Sequence, residues 1–334
     1  MSFDILIVGQ AGRLEYEAAL LAVTLRHASP GWDGTLWVAE PQPGPAWPED
    51  PRMTSPEVRA LLTDLGARTI PFENVEFGAR YPNGNKIEAL AVLPPDRPVL
   101  VLDSDTVITG ELSEIAIDFG RPAASMRRED TWPVPPLYGP TRHDIWGALY
   151  AQSGLDFSSS QDEDWPVNHW RRYLYFNAGW VTAPSGPALH AAWLDAARMV
   201  QWAAGEGGLT ELAAQTIDPW LDQIALPLAI HGLGGGRPGA GGGLPDGALD
   251  GTHSHHYRYL PLMFATAPDH VIDTVRAATA PNAVKKVLKG YEPFKQFLFQ
   301  KKGDKARALF DRAALPRKQE AIRRRLKRRN LWIR

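Results

Sequence analysis

The stretch that most constrains this chain is Val99-Leu100-Val101-Leu102-Asp103-Ser104-Asp105. Four consecutive apolar residues read as a short strand buried on both faces, and such strands lie at the centre of parallel sheets. Two acids then fall at the carboxyl end of that strand, where open α/β sheets bind their ligands. Carboxylates two positions apart beyond a strand end can reach one hard cation, and Mg²⁺ or Mn²⁺ with phosphate oxygens is the usual occupant. Asp and Ser also favour turns, so the pair taken alone reads equally as a polar turn closing a strand.

The preceding hundred residues supply the frame. Ile5-Leu6-Ile7-Val8 is a buried strand, Gly9 to Gly12 a turn, and Leu14, Ala18, Leu21 and Leu25 mark the apolar stripe of a helix. Thr35 to Ala39 is a second strand, followed by a proline-rich loop over 41–51. Ser55-Pro56 starts a helix that Gly66 stops. Thr69-Ile70 belongs to a third strand, and Asn85 to Val92 forms a short helix before the acid-bearing strand. This β-α-β-α-β-α-β order implies a parallel sheet with right-handed crossovers. Gly9-x-x-Gly12 is not a dinucleotide fingerprint.

Beyond the centre, Pro122 to Met126 suggests another strand and Leu174 to Val181 a further one. Residues 130–170 are rich in Trp and Pro and show few regular signals, as functional loops do. A helix is expected over Leu189 to Val200. Another is expected over Ile217 to Ile230, interrupted by Pro219 and Pro227. The glycine-rich stretch 232–251 reads as a flexible loop.

Cysteine is absent, so no disulfide framework exists, and the 334 residues contain no apolar run long enough for a membrane span. The first eight residues lack the basic start of a secretion signal. These features set the expectation of a soluble, cytoplasmic protein. The net charge of −2 hides an asymmetry: residues 282–334 carry 18 Lys+Arg against 4 Asp+Glu, whereas the rest carries 18 against 34. Two units are therefore expected, residues 1–281 and a basic helical extension over 282–334. An anionic membrane surface would attract that extension, with Leu331-Trp332-Ile333 inserting shallowly. A helix folded against the acidic body is the other reading. No nucleic-acid reading motif is present, so nucleic acid is not an expected partner.

In order and spacing the motifs resemble the glycogenin-like retaining glycosyltransferases (family eight), over roughly residues 3–262. The likeness is carried by Tyr16 in the first helix, Asn85-Lys86, Leu102-Asp103-Ser104-Asp105-Thr106, Phe176-Asn177-Ala178-Gly179, Asp222-Gln223 and, more weakly, Tyr259-Leu260-Pro261. The resemblance implies a GT-A fold: Rossmann-like, with a mostly parallel central sheet flanked by helices. It implies a Mn²⁺- or Mg²⁺-dependent enzyme moving a sugar, with retention, from a nucleoside diphosphate donor (UDP by resemblance) to a hydroxyl acceptor. In that reading Asp103 and Asp105 hold the metal, and Asp103 also bonds the ribose. Lys86, Ser104, Tyr16 and Gly179 join them at the donor. Asn177 fixes donor hydroxyls, and Asp222 and Gln223 sit at the anomeric carbon.

The chain departs from the family at the third metal ligand, where a His-Gly and a Lys-Pro-Trp element are expected. His270, within His270-Val271-Ile272-Asp273, is the first candidate; Asp273 and a histidine of the 253–256 run are rivals. Residues 130–170 would form the acceptor site and the glycine-rich loop would close over the donor. A glycan or lipid-linked acceptor would place the enzyme in cell-envelope synthesis, cytoplasmic or peripheral on the inner membrane face. The alternatives are a nucleotidyltransferase, which also uses carboxylates and a metal, and a non-catalytic nucleotide-sugar-binding relative.

Overall fold

The computed structural model describes residues 2–126 and 132–333; positions 130 and 131 of the expected acceptor stretch lie outside the described residues. The strands are β1 (Asp4–Val8), β2 (Leu36–Pro41), β3 (Arg68–Phe72), β4 (Val99–Leu102), β5 (Thr106–Ile108), β6 (Ala123–Met126), β7 (Phe176–Ala183) and β8 (Ser254–His256). The first helices are α1 (Arg13–Ala28), α2 (Pro56–Asp64), α3 (Asn85–Ala89), α4 (Arg142–Ser153), α5 (Gly186–Ala204) and α6 (Leu221–Gly232). Six more follow: α7 (Leu260–Thr266), α8 (Asp269–Ala278), α9 (Asn282–Leu288), α10 (Glu292–Leu298), α11 (Lys302–Ala308) and α12 (Gln319–Arg328).

The main sheet has the order β3-β2-β1-β4-β7-β6. β1, β2, β3 and β4 run parallel, β7 runs against β4, and β6 runs against β7. This is the mostly parallel, helix-flanked architecture that the GT-A resemblance implies. β4 is buried on both faces between β1 and β7, as its unbroken apolar run requires. Alternation sends Ile5 and Ile7 into one apolar cluster and Leu6 into the other, so the sheet separates two cores. The first core holds α1 and α2; the second holds α4, α5 and α6.

Three expectations need correction. Residues 130–170 are not irregular throughout, because α4 occupies 142–153. Its signals were local: Thr141 accepts from the Asp144 amide, the Asp144 carboxylate accepts from the Thr141 amide, and Gly154 closes the helix at φ 66°. Pro227 lies inside α6 rather than ending a helix. The glycine-rich stretch is packed, not open: the Gly243 amide donates to Arg121 O, and its carbonyl accepts from the Asp118 amide. A Cβ on Gly243 would lie 1.8 Å from Asp118 O, so here glycine serves close backbone approach. Leu244 and Leu249, on the same stretch, are fully buried.

The basic C-terminal region contributes Leu288, Phe294, Phe297, Ile322 and Leu326 to the cluster that also holds Ile5 and Leu20. Leu331 is buried there too, and Trp332 packs against Tyr259 at 5.2 Å between ring centroids. The apolar tip expected to enter a membrane is therefore turned inward, while Arg324, Arg325, Lys327, Arg328 and Arg329 face solvent. Among the described residues no helix is long and apolar enough to cross a membrane.

Carboxylates act as fasteners between distant segments. Glu111 accepts from Ser29 Oγ (2.7 Å), the Gly31 amide (2.8 Å), and the Ser113 hydroxyl (2.8 Å) and amide (3.0 Å). Desolvation pushes its carboxyl up, but these hydrogen bonds outweigh it and bring the pKa down to about 2. A lowered carboxylate stabilises the fold above its unfolded value near 4.5, and the contribution fades as the pH falls toward 2. Glu111→Gln should therefore lower stability by about 1 kcal/mol at neutral pH. Thermal melts across the acid range should show the gap to wild type closing as the pH drops below 4.5 toward 2.

Candidate active site

The acids after β4 lie on a cleft of two adjoining lobes. The smaller, about 230 Å³, is lined by Val8, Leu14, Asn85, Lys86 and Ser104; the larger, about 450 Å³, by Asn177, Trp220, Gln223, His256, Arg258 and Arg323. Arg13, Asn83, Asp103 and Asp105 line both, so the lobes meet at the two carboxylates. Ser104 fixes the turn between them: its hydroxyl donates to Val8 O at 2.5 Å, tying the acid loop to the end of β1. That bond holds the hydroxyl in the fold, so Ser104 reaches the cleft as a wall rather than as a donor hand.

Cations from three parts of the chain converge on the acids. Lys86, on α3, donates to Asp103 Oδ1 at 2.6 Å and lies 3.7 Å from Asp222 Oδ2. Burial works against its charge, but Asp103 and Asp222 outweigh it and raise the Lys86 pKa. Arg13 pairs with Glu17 at 2.8 Å and lies 3.9 Å from Asp105. Burial, reinforced by the neighbouring Asp105, pushes Glu17 up to about 8, which keeps a further negative charge from the cluster at neutral pH.

The third cation is His256. Its Nε2 lies 3.1 Å from Asp105 Oδ1 and 3.6 Å from Asp103 Oδ2. β8 pairs antiparallel with β5, in the register Thr106↔His256, which brings this histidine beside the acid loop. Its ring rests on Gly179: a Cβ there would lie 2.5 Å from His256 Nδ1. Burial of His256 opposes its protonation, yet Asp105 and then Asp103 raise its pKa. Burial opposes ionisation of Asp105, yet His256, Arg13 and Lys86 lower its pKa.

Asp103, Asp105 and His256 each offer one ligand atom, all within 4.8 Å of one another. Two carboxylate oxygens and one imidazole suit Mn²⁺ or Mg²⁺ by type, and a cation there would balance the charge of the two acids. His270, expected as the third ligand, lies exposed on α8 and is not part of this group. Strand pairing instead carries His256 to the acids, a contact that no local signal in 253–256 reveals.

The other expected residues divide. Gln223 faces the larger lobe, and its Oε1 accepts from Tyr175 OH at 3.0 Å. Asn177 also lines that lobe; its Oδ1 accepts from the Gly179 amide at 2.9 Å, bracing a turn in which Ala178 adopts φ 57°. Asp222, in the first turn of α6, is 2% exposed. It accepts from Tyr81 OH at 2.6 Å and stands behind Lys86, not on the cleft surface. Burial pushes its carboxyl up, with Lys86 and Tyr81 acting against the rise. Tyr16 points away from both lobes and stacks on Tyr291 at 5.2 Å.

Arg13, Tyr81, Arg258, Gln319 and Arg323 belong to the site without having been expected there. Arg323 reaches the cleft from α12, its guanidinium 5.4 Å from the Tyr259 ring centroid and 5.2 Å from that of Trp332. Its helical spacing from Ile322 and Leu326 was visible, but not the direction of the α12 surface beside them.

An α/β sheet with paired acids at the end of its central strand, over a cleft, is a frame that nucleotide-using transferases of more than one kind can share. The chain belongs to the Rhodobacterales glycosyltransferase domain family, whose model matches residues 5–234, and is a glycosyltransferase. This decides against the nucleotidyltransferase alternative. No curated protein sequence matches.

Among solved structures the chain is similar to the galactosyltransferase LgtC, bound to donor and acceptor sugar analogs, at 13% identity. The match covers 70% of this chain and 73% of that one, with a TM-score of 0.41. WbbM, a bifunctional glycosyltransferase, is 14% identical over 86% of this chain and 51% of its own, at a TM-score of 0.45. Mouse xyloside xylosyltransferase 1 is 12% identical over 69% and 81%, at a TM-score of 0.38.

The contact between Gly179 and the imidazole yields a test. Gly179→Ala must displace His256, so Mn²⁺ affinity, read by calorimetry or by electron paramagnetic resonance of free Mn²⁺, should fall about tenfold or more. His256→Ala should lose at least as much. Folding, followed by circular dichroism, should survive in both.

Proposed function

We propose that the protein is a divalent-metal-dependent transferase that moves a sugar, with retention, from a UDP-sugar to a hydroxyl of a glycan acceptor. The observation that carries this reading is the meeting of Asp103, Asp105 and His256 where two cleft lobes join. The smaller lobe has room for the nucleoside beside α1, and the larger has room for the diphosphate and donor sugar.

Asp103, Asp105 and His256 would hold Mn²⁺ or Mg²⁺, which when bound neutralises the diphosphate and favours its departure. The remaining charge compensation comes from the chain. Lys86, held by Asp103 and backed by Asp222, keeps its proton at the donor. Arg258 and Arg323 line the larger lobe opposite the acids and offer guanidinium donors to phosphate oxygens. In the transfer the bond from the anomeric carbon to the diphosphate oxygen breaks. The acceptor oxygen bonds that carbon, and its proton passes to the departing phosphate.

The same-face route is favoured over a covalent sugar intermediate. Among the described lining residues of the larger lobe, Asp103 and Asp105 are the carboxylates, and both belong to the metal set. Asp222 is screened by Lys86 and is assigned as a positioning residue for it. Gln223 and Asn177 present amides suited to orienting the donor sugar.

Asp105→Ala should reduce Mn²⁺-dependent release of UDP from a UDP-hexose panel by about 10²–10³-fold. Unchanged turnover would refute the reading. Lys86→Met should cost about 10²-fold in kcat. Arg323→Ala should mainly raise the donor KM, about tenfold, as expected for a lost charged hydrogen bond to phosphate.

A further inference from the structure

A second cavity, of about 410 Å³, adjoins the cleft behind Tyr175, which lines both. Resting on the proposed donor site, we infer that this cavity is the acceptor subsite and that it seats an uncharged pyranose ring of the acceptor glycan.

Position is the first argument. The Tyr175 hydroxyl donates to Gln223 Oε1 at 3.0 Å, so one side chain forms the partition between the two spaces. A sugar in the cavity would lie one side chain away from the donor lobe. The volume falls in the range of small-molecule sites and admits a sugar ring with its substituents.

Chemistry is the second argument. Among the described residues the lining carries two carboxylates, Asp162 and Asp246, and two guanidiniums, Arg171 and Arg237. A balanced set of acceptors and donors matches hydroxyl groups, each of which both gives and takes a hydrogen bond. A strongly anionic or cationic ligand would leave one half of that set opposed by like charge. Arg237 is anchored through Nη2 to Ser160 O (3.3 Å) and Arg172 O (3.2 Å), so its position is fixed before any ligand arrives. Asp162 accepts through Oδ1 from the Asp164 amide at 3.2 Å, and among the described residues its Oδ2 accepts no hydrogen bond.

The rest of the lining is aromatic or apolar. Trp165, Trp170 and Tyr173 stand beside Met126 and Pro238. Arg171 lies 4.7 Å from the Trp165 centroid and 5.0 Å from that of Trp170, which stiffens the rim. Apolar surface interleaved with directed polar groups suits the C–H faces and hydroxyl edges of a pyranose.

The test is saturation-transfer NMR with calorimetry on the full chain. The probes are methyl β-D-galactopyranoside, methyl α-D-glucopyranoside and methyl β-D-glucuronide, each with and without UDP and Mn²⁺. At least one neutral glycoside should bind wild type. Asp162→Ala, at a half-buried position, and Arg171→Ala, at an exposed one, should weaken it about fivefold or more while UDP–Mn²⁺ affinity stays within about twofold. Absence of neutral-glycoside binding, selective binding of the glucuronide, or equal affinity in wild type and both variants would each overturn the inference. Neutral-glycoside binding lost in these variants, from a protein that binds no UDP with Mn²⁺, would uphold the cavity and refute the donor site instead.

Discussion

Two carboxylates crowded at the end of a buried strand repel each other, and side chains able to carry positive charge meet them from separate parts of the chain. Lys86 arrives from α3, Arg13 from α1 and His256 from β8. None of these approaches is independent of the rest of the fold. α3 is set by the crossover into β4, α1 by the turn after β1, and β8 by its pairing with β5. A charge cluster of this kind is costly to bury unless every member finds a partner. The arrangement of the outer elements follows from that requirement as much as from apolar packing.

The amino-acid pattern revealed the elements whose causes are local. The apolar runs of β1 and β4 and the Ser55-Pro56 start of α2 are written in adjacent residues, and all three are as expected. The acids at the end of β4 were legible for the same reason, whereas Lys86 was singled out only through the family resemblance. His256 was not legible. Its role depends on a strand pairing that spans about 150 residues, and three histidines in four positions gave no ground for choosing among them. Asp222 was named through the family motif, and the structure adds what the motif does not show, its burial beside Lys86 and Tyr81.

Composition misled where backbone geometry ruled. The glycines after α6 suggested freedom, yet they allow the chain to lie against 118–123 and to deliver Arg237 to a cavity wall. The basic charge of the last fifty residues left two readings open, a membrane-facing extension and a helix folded against the acidic body. The segment's apolar residues complete a core begun by β1 and α1; most of the charges face solvent, Arg307 lies against the end of α7, and Arg323 faces inward over the cleft.

That inward arginine changes what kind of object the cleft is. The family match ends at residue 234, while Arg258 and Arg323 come from chain beyond it. One bank of the cleft is thus laid down by the sheet within the matched stretch and the other by polypeptide that follows it. The two banks meet only when the chain beyond residue 234 is seated against the body, so the shape of the cleft is tied to the folding of the last segment.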